Sequence, residues 1–111
     1  MRLTASQIAY IITIRRLSVG QGFVRAVDIA WTMGVSKPSV TQATHRLREE
    51  KILIRCGGCG FCLTEYGKFV AERCEVTVGQ MKAGMKMSVI NVPEDEMFRA
   101  ACAAAAALLD V

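Results

Sequence analysis

The chain has 111 residues, 52% of them hydrophobic and 22% charged, with a net charge of +4. A chain this short suits one domain, or a small domain with a pairing element, and buries a modest core that dimerisation often extends. One histidine, no Gly-x-Ser-x-Gly turn and no phosphate-cradling glycine loop predict no enzyme.

The charge is unevenly placed. Residues 1–55 hold nine Lys/Arg against three Asp/Glu, and residues 56–111 hold five against seven. That asymmetry predicts a basic front half that meets phosphates and a near-neutral back half with another task. The apolar run from Ile8 to Ile14 is too short for a signal peptide, and Ala100 to Leu109 is too short to span a bilayer, so the expected location is cytoplasmic.

In chain order, a first helix is expected from Thr4 or Ser6, either of which can cap it, to about Leu17, with the glycines of Val19-Gly20-Gln21-Gly22 ending it. Its apolar residues form two stripes, Ile8/Ile11/Ile12 and Tyr10/Ile14/Leu17, as in a helix held between two layers. Phe23-Val24-Arg25 is β-prone and short enough for an edge strand. Val27 to Met33 reads as a short helix broken at Gly34.

The next helix, from Ser36 to about Glu50, organises the chain. At about 100° per residue, Val40, Ala43, Thr44 and Leu47 share one side, and Lys37, Pro38, Thr41, Gln42, His45 and Arg48 share the other. Ser36 is a suitable N-cap, and Pro38 falls in the first turn, where its missing N–H costs nothing. With Ala30 and Gly34 before it, this predicts a helix-turn-helix.

Ile52-Leu53-Ile54-Arg55, a Gly/Cys turn and Phe61-Cys62-Leu63 then read as a hairpin, the wing. Thr64 can cap a helix whose stripe is Val70, Cys74, Val78, Met81 and Met85. That helix carries Gly79, Gly84 and β-branched residues, so packing must supply its stability. Asn91-Val92-Pro93 breaks it, and a last, alanine-rich helix begins with Glu94, Asp95 and Glu96, acids favoured there by the helix dipole. The predicted fold is mainly α: a winged helix-turn-helix with a two- or three-stranded wing, followed by two helices.

Geometry nominates the DNA-binding residues. Lys37, Pro38, Thr41, Gln42 and His45 project from the early turns, where a helix in the major groove meets base edges. Gln42 is the strongest base reader, because its amide can pair twice with an adenine edge. Ser36, Ser39, Arg25, Arg46 and Arg55 suit phosphates.

A second constellation is Cys56-Gly57-Gly58-Cys59-Gly60-Phe61-Cys62. The spacing of Cys56, Cys59 and Cys62 suits a thiolate site for zinc or an iron–sulfur cluster, a reversible disulfide, or a turn with no ligand. Five cysteines, an odd number, predict no disulfide framework. Cys74 and Cys102, on apolar faces, read as buried small hydrophobes.

Leu3-Thr4-Ala5-Ser6-Gln7, Val24 to Ala30, Met33 to Thr41 and the wing exit Leu63-Thr64-Glu65-Tyr66-Gly67 together resemble the diphtheria toxin repressor and manganese transport regulator family. The resemblance covers about residues 3–72 and is weaker beyond, where Val92 to Glu96 and Ala101-Cys102 fall at the family's last helix. It implies a homodimeric winged-helix repressor that binds operator DNA when loaded with manganese or ferrous iron. It also implies a DNA-binding domain over residues 1–64 and a helical dimerisation region over 65–111.

The departures concern the metal. Where the family carries acids able to bind it, this chain has Ala9 and Ile12. A family histidine falls at or near Val78, and the family's Asp-Ala-Cys-x-x-Glu-His falls on residues 100–106, where only Cys102 remains. The manganese/iron site is therefore predicted absent, since one thiolate does not hold a hard cation. The reading from the sequence is a homodimeric, sequence-specific transcriptional regulator, a repressor by resemblance, bound to double-stranded operator DNA and to no membrane. The alternative is a winged-helix protein-interaction or metal/thiol-handling module that has lost specific operator binding.

Overall fold

The computed structural model describes residues 1–58, 60–88 and 92–111. Five helices and three short strands follow in the order α1 (Ala5–Ser18), β1 (Val24–Arg25), α2 (Ala26–Met33), α3 (Lys37–Glu49), β2 (Leu53–Cys56), β3 (Gly60–Leu63), α4 (Glu65–Ser88) and α5 (Glu94–Leu108).

α1 begins in a full capping box: the Thr4 hydroxyl accepts from the Gln7 N–H, and the Gln7 side chain accepts from the Thr4 N–H. Both expected stripes face the core, Ile8, Ile11, Ile12 and Ile14 completely buried and Leu17 partly, because α1 packs against α2 and α3 on one side and α4 and α5 on the other. Arg16 adds polar ties to this packing, bonding Glu75 of α4 through Nε at 3.1 Å and lying 5.6 Å from the Phe98 ring of α5.

α2 stops at Gly34, whose φ of 66° places it in the left-handed region that glycine adopts without penalty. The Gly34 and Val35 N–H groups both donate to the Ala30 carbonyl, which fixes the turn of the helix-turn-helix. Val40, Thr44 and Leu47 of α3 are buried, and the Thr44 hydroxyl donates to the Val40 carbonyl at 2.7 Å, so its burial leaves no orphaned donor.

The sheet is antiparallel with order β1-β3-β2. Val24 pairs with Phe61 and Arg25 with Gly60, so the short β-prone segment is the edge strand its composition suggested and the wing has three strands. β2 and β3 pair from Leu53↔Leu63 to Cys56↔Gly60. One apolar core runs from Leu3 through α1, the sheet and α4 to Leu109. Val70, Cys74 and Val78 of the α4 stripe are buried in it, and Met81 and Met85 pack at its margin. The expected break after α4 includes Asn91, which lies outside the described residues.

Candidate nucleic-acid interface

α3 presents the predicted reading face. Ser36 accepts from the Ser39 N–H and shares a 2.9 Å hydrogen bond with the Ser39 hydroxyl, closing the N-terminus. Pro38 occupies the first turn. Lys37, Pro38, Thr41, Gln42, His45 and Arg46 are all exposed. The Thr41 hydroxyl donates to the Lys37 carbonyl at 3.1 Å, which leaves the methyl as the group available to a neighbour. Among the described residues, Arg25, Lys37, Gln42 and Arg46 have no side-chain hydrogen bond or ion pair.

Two grooves flank the helix. A groove of about 930 Å³ brings Lys37 and Thr41 together with Arg25, Gln21, Phe23 and the wing residues Cys56 and Cys62. A second, of about 760 Å³, holds Ser39, Gln42, His45 and Arg46 beside Thr4, Gln7 and Tyr10 of the α1 end. Arg55 projects from β2 with its guanidinium 5.7 Å from the Phe61 ring, which orients it while leaving it exposed. Arg25 thus lies on the wing side of α3 and Arg46 on the other.

Three predicted features differ in detail. His45 is not isolated: its Nε2 lies 3.6 Å from a Glu49 carboxylate oxygen and its Nδ1 3.4 Å from Arg48 Nη2. Arg48 is half-buried, with Nε enclosed and unpartnered, so it belongs to the margin of the core. Ser36 and Ser39 spend part of their bonding capacity on each other. Outside the predicted set, Trp31 of α2 stands 89% exposed beside Val27; a lone aromatic on a short helix carries no sequence signal distinguishing this placement from burial.

The cysteines require a correction. Cys56 and Cys62 form a disulfide, although the odd cysteine count predicted no such framework. The β2–β3 register sets Cys56 opposite Gly60 and Ile54 opposite Cys62, so the two cysteines are diagonal neighbours across the hairpin. A bonded pair offers no thiolates, and the three-thiolate zinc or iron–sulfur site at Cys56, Cys59 and Cys62 does not exist in this state. Cys59 lies outside the described residues, among which no group of three His, Cys, Asp or Glu side chains is placed to hold a metal.

A helix-turn-helix followed directly by a three-stranded wing defines a winged-helix protein. Residues 2–55 match the family model described as "Iron dependent repressor, N-terminal DNA binding domain", so the front part of the chain is similar to that domain. Among solved structures it is similar to IdeR of T. acidophilum, at 19% identity and a TM-score of 0.67, over 91% of this chain and 46% of that one. It is also similar to Lactococcus lactis ZitR, at 18% identity and a TM-score of 0.67, over 87% of this chain and 66% of that one. A third similar structure is the YusO protein from Bacillus subtilis, at 25% identity and a TM-score of 0.56, over 87% and 70%. The chain therefore spans about half the length of IdeR and two thirds that of ZitR, and these likenesses establish the fold. No curated protein compared with the chain matches it.

The residues at the family's metal positions do not fit manganese or ferrous iron. Ile12, Val78, Cys102 and Ala105 are buried in the apolar core and Ala9 packs against it. Cys102 is the one donor among them, and burial pushes its thiol up to about 11, so it is protonated and a poor ligand.

Proposed function

We propose that the protein is a sequence-specific DNA-binding transcriptional regulator, a repressor, that works as a homodimer with the 36–50 recognition helix in the major groove of operator DNA. The observation that carries this reading is the α3 surface: a capped helix, anchored by Val40, Thr44 and Leu47, whose opposite face offers Lys37, Pro38, Thr41, Gln42 and His45 at its N-terminal end. Gln42 reads a base edge, Thr41 and Pro38 meet thymine methyl groups, and Arg25, Arg46, Arg55, Ser36 and Ser39 hold phosphates.

Residues 1–64 form the DNA-binding unit and 65–111 the dimerisation region. Support for the second copy comes from α4, where Tyr66, Phe69 and Val76 form an exposed apolar stripe with the Arg73 guanidinium 5.8 Å from the Phe69 ring. A twofold pair of recognition helices calls for an operator with two related half-sites. No helix among the described residues is long and apolar enough to cross a membrane, and a cytoplasmic location goes with the DNA-binding reading.

The test is a pair of variants on a duplex selected from random DNA. Gln42→Ala should lower affinity for the selected duplex about tenfold to a hundredfold and relax preference at one position. Arg46→Ala should weaken all sequences alike and reduce the salt slope by about one. Identical losses from both variants on selected and random duplexes would refute the assignment.

A further inference from the structure

The Cys56–Cys62 disulfide joins β2 to β3 across the wing hairpin, with Cα atoms 6.1 Å apart. Both side chains are half-buried and line the groove that also holds Arg25, Lys37 and Thr41, so a small thiol reaches the bond from the side on which DNA would lie. The buried cysteines differ: burial, with Cys102 and Glu75 nearby, pushes the Cys74 thiol up to about 12, and burial pushes Cys102 up to about 11. Both are thereby withheld from exchange, which needs a thiolate.

We propose that Cys56 and Cys62 are a redox modification site for low-molecular-weight thiols and disulfides, and that its state sets the strength of DNA binding by the wing. This rests on the DNA-binding reading above. A protein that works on chromosomal DNA sits among reduced thiols, where disulfides are mostly transient or redox-sensing.

The chemistry closes without a metal. One thiolate of the reduced pair attacks a sulfur of a small disulfide R–S–S–R, forming a mixed disulfide and releasing RS⁻. The second thiolate attacks the protein sulfur of that mixed disulfide, forming the Cys56–Cys62 bond and expelling the second RS⁻. The two protons lost by the cysteines end on the two released thiols, so the protein is oxidised and R–S–S–R reduced by two electrons.

The fold gives this bond something to control. β2 and β3 have four residues each and β2 is an edge strand, while the turn includes Gly57 at φ 66° and Gly58; such a short hairpin is marginal by itself. Closed, it is tight: a β-carbon on Gly60 would lie 2.8 Å from the Cys56 carbonyl oxygen and 3.1 Å from the Phe23 ring. The oxidised hairpin therefore packs against the segment leading to Arg25 and fixes Arg55 on β2. Reduction frees the hairpin tip and loosens both arginines, leaving α3 in place.

The wild-type protein is cycled between dithiothreitol and glutathione disulfide, with alkylation and mass spectrometry reading the pair and polarisation of a labelled mixed-sequence duplex at low salt reading binding. Expected are exchange in both directions in the folded protein, binding about tenfold weaker when reduced, as for a few lost phosphate contacts, and recovery on oxidation. Cys59→Ser should cycle as wild type does. A Cys56→Ser/Cys62→Ser variant, shown to be folded by circular dichroism, should bind weakly and ignore both reagents. Equal affinity in the two states, or a bond that dithiothreitol leaves intact in the native protein, overturns the switch while DNA binding stands. No binding in either state overturns both.

Discussion

At Gly67 a missing β-carbon lets the wing and α4 meet. A β-carbon there would sit 2.0 Å from the Ile52 carbonyl oxygen, a backbone atom that cannot swing away. Thr64 completes the same junction: its N–H donates to Ile52 O at 3.0 Å, its hydroxyl to Lys51 O at 2.6 Å, and its oxygen accepts from the Gly67 N–H at 2.8 Å. Gly67→Ala must displace this backbone and should cost about 2–3 kcal/mol, within the range for overpacked sites. Urea unfolding checks this, and a change under about 0.5 kcal/mol, the level of an ordinary surface substitution, would show that the junction relaxes freely. The metal positions are the opposite residue-scale case: Ile12, Val78 and Ala105 are ordinary core residues whose meaning lies only in what they replace.

Among the elements, α3 was the most legible, because its cap, its proline and its amphipathic spacing are all local. Val40, Thr44 and Leu47 went inside as their spacing required, and Lys37, Pro38, Thr41, Gln42 and His45 stayed out. What the sequence left open depends on register and on distant partners. The pairing of Val24-Arg25 with β3, the diagonal approach of Cys56 and Cys62, and the half-burial of Arg48 follow from how elements meet, and no periodicity encodes that. α4 lies between these cases: its inner stripe was legible, whereas its outer stripe of Tyr66, Phe69 and Val76 is visible only once the inner face is known. If that outer stripe holds a second copy, Phe69→Glu with Val76→Glu should convert dimer to monomer in sedimentation while the fold persists, since both residues are about half exposed and cost the monomer little. A wild type that sediments as a monomer would refute the assignment directly.

For the whole molecule, the junction of α1, α4 and α5 decides whether a divalent metal governs the protein. Their packing is supplied by Ile8, Ile11, Ile12, Cys74, Val78, Ala101, Cys102 and Ala105, all buried, with Arg16–Glu75 and Lys82–Glu94 as polar ties at the margin. These side chains hold the three helices together by apolar packing, so manganese or ferrous iron should not be needed to bring α3 into position. A metal bound to the native state at about a hundred times its dissociation constant would raise stability by about 2.7 kcal/mol. The expectation is that manganese or ferrous iron raises neither the unfolding midpoint nor affinity for the selected duplex, and that a chelator lowers neither. Thermal unfolding and polarisation, run on the dithiothreitol-reduced and the disulfide forms separately, keep this outcome distinct from any effect at the wing. A manganese-dependent rise in both quantities would mean that the ligands come from elsewhere than Ala9, Ile12, Val78 and Cys102, because the buried junction offers thiols but, among the described residues, no buried carboxylate or imidazole.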